Sequence, residues 1–432
     1  MKHAYLILLC WLCALTASAQ HTRSLDPRIR TVRVVVNNDE MQPPVTRVGG
    51  KVVLSFDDLT HEYARYIYKV ELCNADWTAA SDVFESDWLD GFNAQPIEDY
   101  ETSFNTTQLY THYAVAFPNE NTRLLLPGNY RVTVYADETG RDSSPVLEAA
   151  FMLLAPEMSI AAEVLTNTDI DFNQSHQQLQ YSLGYSQRHV VDPSRELHTV
   201  VMQNRRWDTA VIDLQPNMQR NGAAEWNHRR ELIFPAGNEF HKFELLDPHI
   251  GGMGIDRMEW FDPYYHATLF PATPAKSYVY DEDIDGGYIV RRSYDEDNDT
   301  QSEYVFVHFL LKSPRLQGGD VYVAGQWANT FPDPQCLMHY NEQQGAYECA
   351  ILLKQGYYNY QFLQLNEGTD SNKDRYRDRN RDSKMSRPQG TTARTEGDFY
   401  QTENEYIILV YHRPIGGRYD ALVGYTTIKS EQ

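Results

Sequence analysis

Apolar side chains alternate with polar ones along much of this chain, in short runs broken by turn residues. Segments 31–36, 51–56, 65–72 and 130–135 are apolar or β-branched at every second position. A period of two sends successive side chains to opposite faces, so each run predicts a strand with one face buried. Pro43-Pro44, Gly49-Gly50 and Pro127-Gly128-Asn129 mark turns between the runs. Short strands punctuated in this way predict an antiparallel β-sandwich of immunoglobulin-like type over residues 20–156, with 126–130 leading into its last hairpin.

The same signals continue, less regularly, through a second β-rich domain expected over 157–292. Segments 199–203 and 231–234 are strand-like, Asp192-Pro193-Ser194 is a turn, and there is no long amphipathic helix. A third sandwich is expected over 293–432, with strands near 303–311, 320–325 and 347–353. The continuous apolar run 406–411 is expected to be its closing, buried strand. Between them, 368–395 carries mixed charge and predicts a solvated loop. The fold class is therefore all-β, as tandem immunoglobulin-like and early-set β-sandwich domains.

The first nineteen residues stand outside this pattern. Lys2 and His3, an apolar stretch over 6–15 and Ala17-Ser18-Ala19 form a cleavable Sec signal peptide. The stretch is shorter than the roughly 20 residues a helical span requires, so export without membrane insertion is expected. A net charge of −22 disfavours nucleic acid and anionic lipid surfaces as partners. Cys73, Cys336 and Cys349 remain after cleavage, and an odd number excludes a fully paired framework. The expectation is one bridge between Cys336 and Cys349, with Cys73 a buried thiol.

Catalytic and metal motifs are sparse. Asp281, Asp283, Asp285 and Gly286 reproduce the opening of a calcium loop, but its twelfth position is Arg292 where a bidentate carboxylate is required. Solvated turns are expected there, with adventitious Ca²⁺ at Asp281, Asp283 and Asp285 the only metal chemistry on offer. A second acidic cluster, 295–299, fails the same test. No zinc-spaced histidine pair, nucleophile elbow or phosphate-cradling glycine loop occurs, so no enzyme, cofactor or catalytic residue is expected. One binding-type arrangement remains. A strand ends in Gly325-Gln326-Trp327, and Gln355-Gly356-Tyr357-Tyr358-Asn359-Tyr360 follows. This is similar to early-set modules of starch-active enzymes, in which exposed aromatics stack on sugars. The same rings are equally the core anchors of a sandwich.

Motifs in order along nearly the whole chain carry a wider resemblance. They include Asp57-Asp58-Leu59, Tyr68-Lys69-Val70-Glu71-Leu72-Cys73-Asn74-Ala75-Asp76-Trp77, Trp88-Leu89-Asp90-Gly91-Phe92 and Gly128-Asn129-Tyr130. Met202-Gln203-Asn204-Arg205-Arg206-Trp207-Asp208, Ala236-Gly237-Asn238-Glu239-Phe240 and Lys354-Gln355-Gly356-Tyr357 follow, then Val410-Tyr411-His412-Arg413 and Arg418-Tyr419-Asp420. Together they resemble the plug protein family of the Bacteroidota type IX secretion translocon. The resemblance implies a non-enzymatic periplasmic subunit, monomeric when free. It would associate with the inner face of the outer membrane and close the periplasmic side of a very large β-barrel. Trp327, Tyr357, Arg413 and Arg418 are the candidate partner-interface residues, since aromatic and arginine anchors dominate such contacts. A structural role for each is an equal expectation. The alternative function is a periplasmic carbohydrate-binding protein built on the early-set-like module.

Overall fold

A computed structural model describes residues 22–137, 144–186, 188–293, 297–366 and 388–430. It is all-β, built from open and mainly antiparallel sheets. In the N-terminal unit, one sheet is formed around Pro145–Leu154, Gly128–Ala136 and Tyr66–Cys73, and the other contains Ile29–Val36, Val52–Asp58, Thr111–Phe117 and Asp99–Thr102. Alternate residues point between the sheets: Tyr68, Val70 and Leu72 meet Leu54, Phe56 and Val115 in one core. The hairpin expected after Pro127 is formed, with Gly128 opposite Leu153.

The C-terminal half is threaded differently from the sequence expectation. Strands His241–Leu245 and Tyr288–Val290 pair with Gly356–Asn366, and Tyr264–Leu269 runs parallel to Tyr304–Lys312. All three pairings place residues 241–290 in the third sandwich, not in a unit ending at 292. Conversely, Glu405–His412 and Ala421–Lys429 extend the sheet of Leu197–Gln203. They complete the middle sandwich instead of closing the third. Sequence alternation reveals that a strand is buried, but pairing partners far apart in the chain leave no local mark.

Every residue of Glu405–His412 is buried, and the packing explains why. Tyr406, Ile408 and Val410 face the core of the middle unit with Leu179, Tyr181 and Trp226. Ile407, Leu409 and Tyr411 face the other way, onto Val45, Cys73, Trp77, Ala150 and Met152 of the N-terminal unit. A strand covered on both faces needs apolar side chains throughout, and its sequence is correspondingly continuous in them. Each leucine or isoleucine fully buried here contributes about 1.5–3 kcal/mol. The middle and N-terminal sandwiches thus share a core at their contact.

Of the two loops predicted to be polar, residues 368–387 and 295–296 lie outside the described residues, as do the signal segment and its cleavage site. The segment Gln389–Thr391 is a strand paired with Gly356–Asn366. Among the described residues no helix is long and apolar enough to cross a membrane. The expected Cys336–Cys349 bridge is absent: Cys73, Cys336 and Cys349 are all free thiols. Cys349 Sγ instead donates to the Gln335 carbonyl at 3.6 Å.

Candidate functional site: the junction of the three sandwiches

Strand Val52–Asp58 carries Asp57 inward at its end, toward the third unit. Strand Ala346–Lys354 ends on Lys354, which is 0% exposed. The ammonium Nζ donates to Asp57 Oδ2 at 2.6 Å and to the Asp299 carbonyl at 2.7 Å. Tyr304 donates its hydroxyl to the same Asp57 oxygen at 2.6 Å, and His112 Nδ1 lies 2.6 Å from Oδ1. Lys354 Nζ also sits 4.3 Å from the centre of the Tyr110 ring. Burial works to raise the Asp57 carboxyl, but Lys354 and His112 overcome it and hold the group at about 2. A buried charge is tolerated only when paired and hydrogen-bonded in this manner.

Further contacts extend the junction. Arg33 pairs with Asp299 and, at 3.2 Å, with Glu40. Glu303 accepts the backbone N–H groups of Thr107 and Gln108 at 2.5 and 3.1 Å, and Phe104 N–H donates to the Thr300 carbonyl. The described part of the second acidic cluster is therefore an inter-unit clasp. Arg205 joins all three units: it pairs with Glu405 of its own sheet at 2.9 Å, donates to Gln326 Oε1 of the third unit at 3.0 Å, and to the Met41 carbonyl of the N-terminal unit at 2.6 Å.

The four residues singled out by sequence fall into two groups: Trp327 and Tyr357 both bond Asn359 in the third unit, while Arg413 and Arg418 reach the N-terminal unit. Trp327 is partly buried on the core of the third unit, near-parallel to Phe309 at 6.1 Å and edge-on to Tyr358. Its Nε1 donates to the Asn359 carbonyl at 2.9 Å. Gly325 is obligatory beside it, because a Cβ there would stand 2.3 Å from that nitrogen. Tyr357 lies under Arg291 with 6.0 Å between guanidinium carbon and ring centre. Arg413 joins the middle unit to the N-terminal one, pairing with Asp420 at 2.8 Å while donating to Asn74 Oδ1 at 2.8 Å. Arg418 reaches Asp87 of the N-terminal unit at 2.9 Å. Asp57, Lys354, Glu303 and Arg205 were not among the four, although Asp57, Arg205 and Lys354 lie in the motifs that carry the family resemblance.

Asp281, Asp283 and Asp285 do not converge. Asp281 pairs with Lys242, Asp285 with Lys429 at 3.0 Å, and Asp283 accepts the backbone N–H groups of Phe240 and Asp285. No group of three or more potential metal ligands occurs among the described residues. Burial, with Asp285 and Glu239 adding repulsion, pushes the Asp283 carboxyl up to about 7.

Exposed aromatics occur on both the first and the third unit. Tyr63 and Tyr100 are 4.9 Å apart, and Phe104 and Leu109 are exposed a few residues after Tyr100. Gln108 Oε1 accepts from Tyr264 at 2.9 Å, and Tyr264 stands edge-on to Phe306 at 5.0 Å. Phe306 stacks on His266, against which the exposed Phe261 packs at 5.1 Å. Trp260, exposed on the same hairpin, packs against Tyr265 on the opposite face of the sheet.

Comparison with known proteins adds three findings. Residues 29–155, the N-terminal unit, match the family described as Type 9 secretion system plug protein 1st domain. The whole fold is similar to the crystal structure of a hypothetical protein from Parabacteroides merdae ATCC 43184. The two share 36% identity and a TM-score of 0.87, over 95% of this chain and 99% of that one. No curated protein matches the chain.

Proposed function

Since the chain belongs to the type IX secretion system plug protein family, we propose that it closes the periplasmic side of the translocon barrel when the barrel is idle. In this reading it is a non-enzymatic subunit of the periplasm, monomeric when free and held at the inner face of the outer membrane. The supporting observation is the junction itself. Buried charges, led by Lys354 and Asp57, tie three sandwiches together. A preformed body loses little conformational entropy on docking, so it suits the occlusion of a wide channel. Exposed Phe104 and Leu109 on the first unit and Phe261 on the third supply apolar surface for a protein partner.

Affinity capture of the tagged protein from detergent-solubilised envelopes tests this reading, with the bound proteins identified by mass spectrometry. Near-stoichiometric recovery of one very large outer-membrane barrel is expected, and its loss on Phe104→Ser with Phe261→Ser. Elution free of barrel, from cells that express the barrel, overturns the reading. The carbohydrate-binding alternative draws no support from Trp327, because one face of its ring lies toward Phe309 and its Nε1 is engaged.

A further inference from the structure

The sheet that carries Asp57 ends in a free edge. Its strands run in the order Ile29–Val36, Val52–Asp58, Thr111–Phe117 and Asp99–Thr102, so the last has a neighbour on one side only. At the opposite margin, Ile29–Val36 is bonded to the third unit through Arg33 with Asp299 and Thr31 with Tyr304. All four residues of Asp99–Thr102 are exposed. Ser103, the next residue, donates its N–H to the Tyr110 carbonyl at 2.8 Å. Backbone groups alternate in direction along an antiparallel ladder, so Asp99 and Glu101 also turn theirs toward Thr111–Phe117. The N–H and C=O groups of Tyr100 and Thr102 therefore point away from the sheet, where they template one more strand.

The side chains around this edge select what can pair with it. Asp99 and Glu101 share the outer face of the sheet with His112, which stands opposite Glu101. His112 is committed to Asp57 at 2.6 Å. Neither Asp99 nor Glu101 has an ion-pair partner among the described residues, nor has exposed Glu98 just before them. The other face carries Tyr100, whose ring lies 4.9 Å from Tyr63 and 5.8 Å from Tyr113. Tyr63 and Tyr100 are 59% and 43% exposed. An added strand thus meets carboxylates on one face and tyrosine rings on the other, at alternate positions. A second copy of this strand fits badly, because antiparallel self-pairing about Tyr100 sets Asp99 against Glu101. Like charges directly opposite are destabilising.

We propose that Asp99–Thr102 is a docking edge for an extended segment of a partner protein in which Lys or Arg alternates with apolar residues. The segment joins the four-stranded sheet as a fifth strand, through hydrogen bonds with Tyr100 and Thr102. Its cations pair with Asp99 and Glu101, and its apolar side chains lie against Tyr63 and Tyr100. The site is independent of the plug reading and stands whether or not a barrel is the main partner.

The test uses the full chain and a short fluorescein-labelled peptide of alternating lysine and valine. A lysine–proline peptide keeps the charge but cannot join a sheet, and a glutamate–valine peptide keeps the strand but reverses the charge. Saturable anisotropy with the lysine–valine peptide alone is expected, together with slowed hydrogen exchange at Tyr100 and Thr102. Asp99→Asn with Glu101→Gln should weaken that peptide about fivefold or more, as two cross-strand ion pairs are lost, without lowering the melting temperature. Thr102→Pro removes an outward N–H and no ladder bond, and should weaken it as well. No saturable binding by the wild-type chain overturns the proposal. So does equal binding of either control peptide, slowed exchange elsewhere but not at Tyr100 and Thr102, or equal affinity in the Asp99→Asn, Glu101→Gln chain.

Discussion

Lys354 Nζ lies 2.6 Å from Asp57 Oδ2 across the contact between the third and N-terminal sandwiches, and the two side chains are 0% and 1% exposed. Neither residue can lose its partner without stranding a charge. Lys354→Met should therefore destabilise the protein by about 3–5 kcal/mol. Lys354→Met combined with Asp57→Asn should cost clearly less, since it leaves no buried charge. Urea denaturation of the single and double variants checks this, and equal costs would show that the pair is not coupled.

Arg205 makes its bonds to three units with one guanidinium. Arg205→Met should cost about 2–4 kcal/mol, as hydrogen bonds to a charged group are removed. Hydrogen exchange should quicken around 41–47 and 326–331 while the central strands of the N-terminal sandwich, Gly128–Ala136 and Pro145–Leu154, stay protected. Uniform quickening everywhere would argue against a local pinning role.

Leu409 is fully buried in the core that the first two sandwiches share. Leu409→Ala should cost about 2–5 kcal/mol, the range for a leucine cavity that cannot collapse. Ile415→Ala, at a residue 69% exposed, should stay within about 0.5 kcal/mol of wild type. Thermal melting of the two variants gives the contrast directly.

Asp283 makes stability depend on pH. Its folded carboxyl titrates at about 7, whereas an unfolded aspartate titrates near 3.8. Between those values the unfolded chain holds fewer protons than the folded one, so this group lowers stability as pH rises from about 4 to 7. Asp283→Asn removes the titration but keeps an acceptor for only one of the two N–H groups, since Phe240 donates to Oδ2 and Asp285 to Oδ1. The melting temperature of the variant relative to wild type should therefore rise from pH 4 to pH 8.

The thiols should be silent in the folded protein. Burial pushes Cys73 up to about 12 and Cys349 to about 11, and raises Cys336 well above its usual value. A thiol reagent at pH 7.5 should label all three slowly in buffer and quickly in urea. Rapid labelling of Cys349 without denaturant would contradict the described packing.

The sequence by itself determined the fold class and most strands of the N-terminal sandwich, because period-two alternation and turn residues are local. It also showed that residues 406–411 form a buried strand, since the run is continuously apolar. It resembled the plug family through motifs that turn out to hold Lys354, Arg205, Arg413 and Asp420, without revealing what those side chains do. Tertiary structure alone decided that Glu405–His412 joins the middle sheet, that strands 241–290 build the third sandwich, and that Cys336 and Cys349 stay apart. It also decided that Lys354 meets Asp57. These are contacts between residues far apart in the chain, set by how whole sheets pack, and no local pattern of side chains encodes which distant surface a strand will meet.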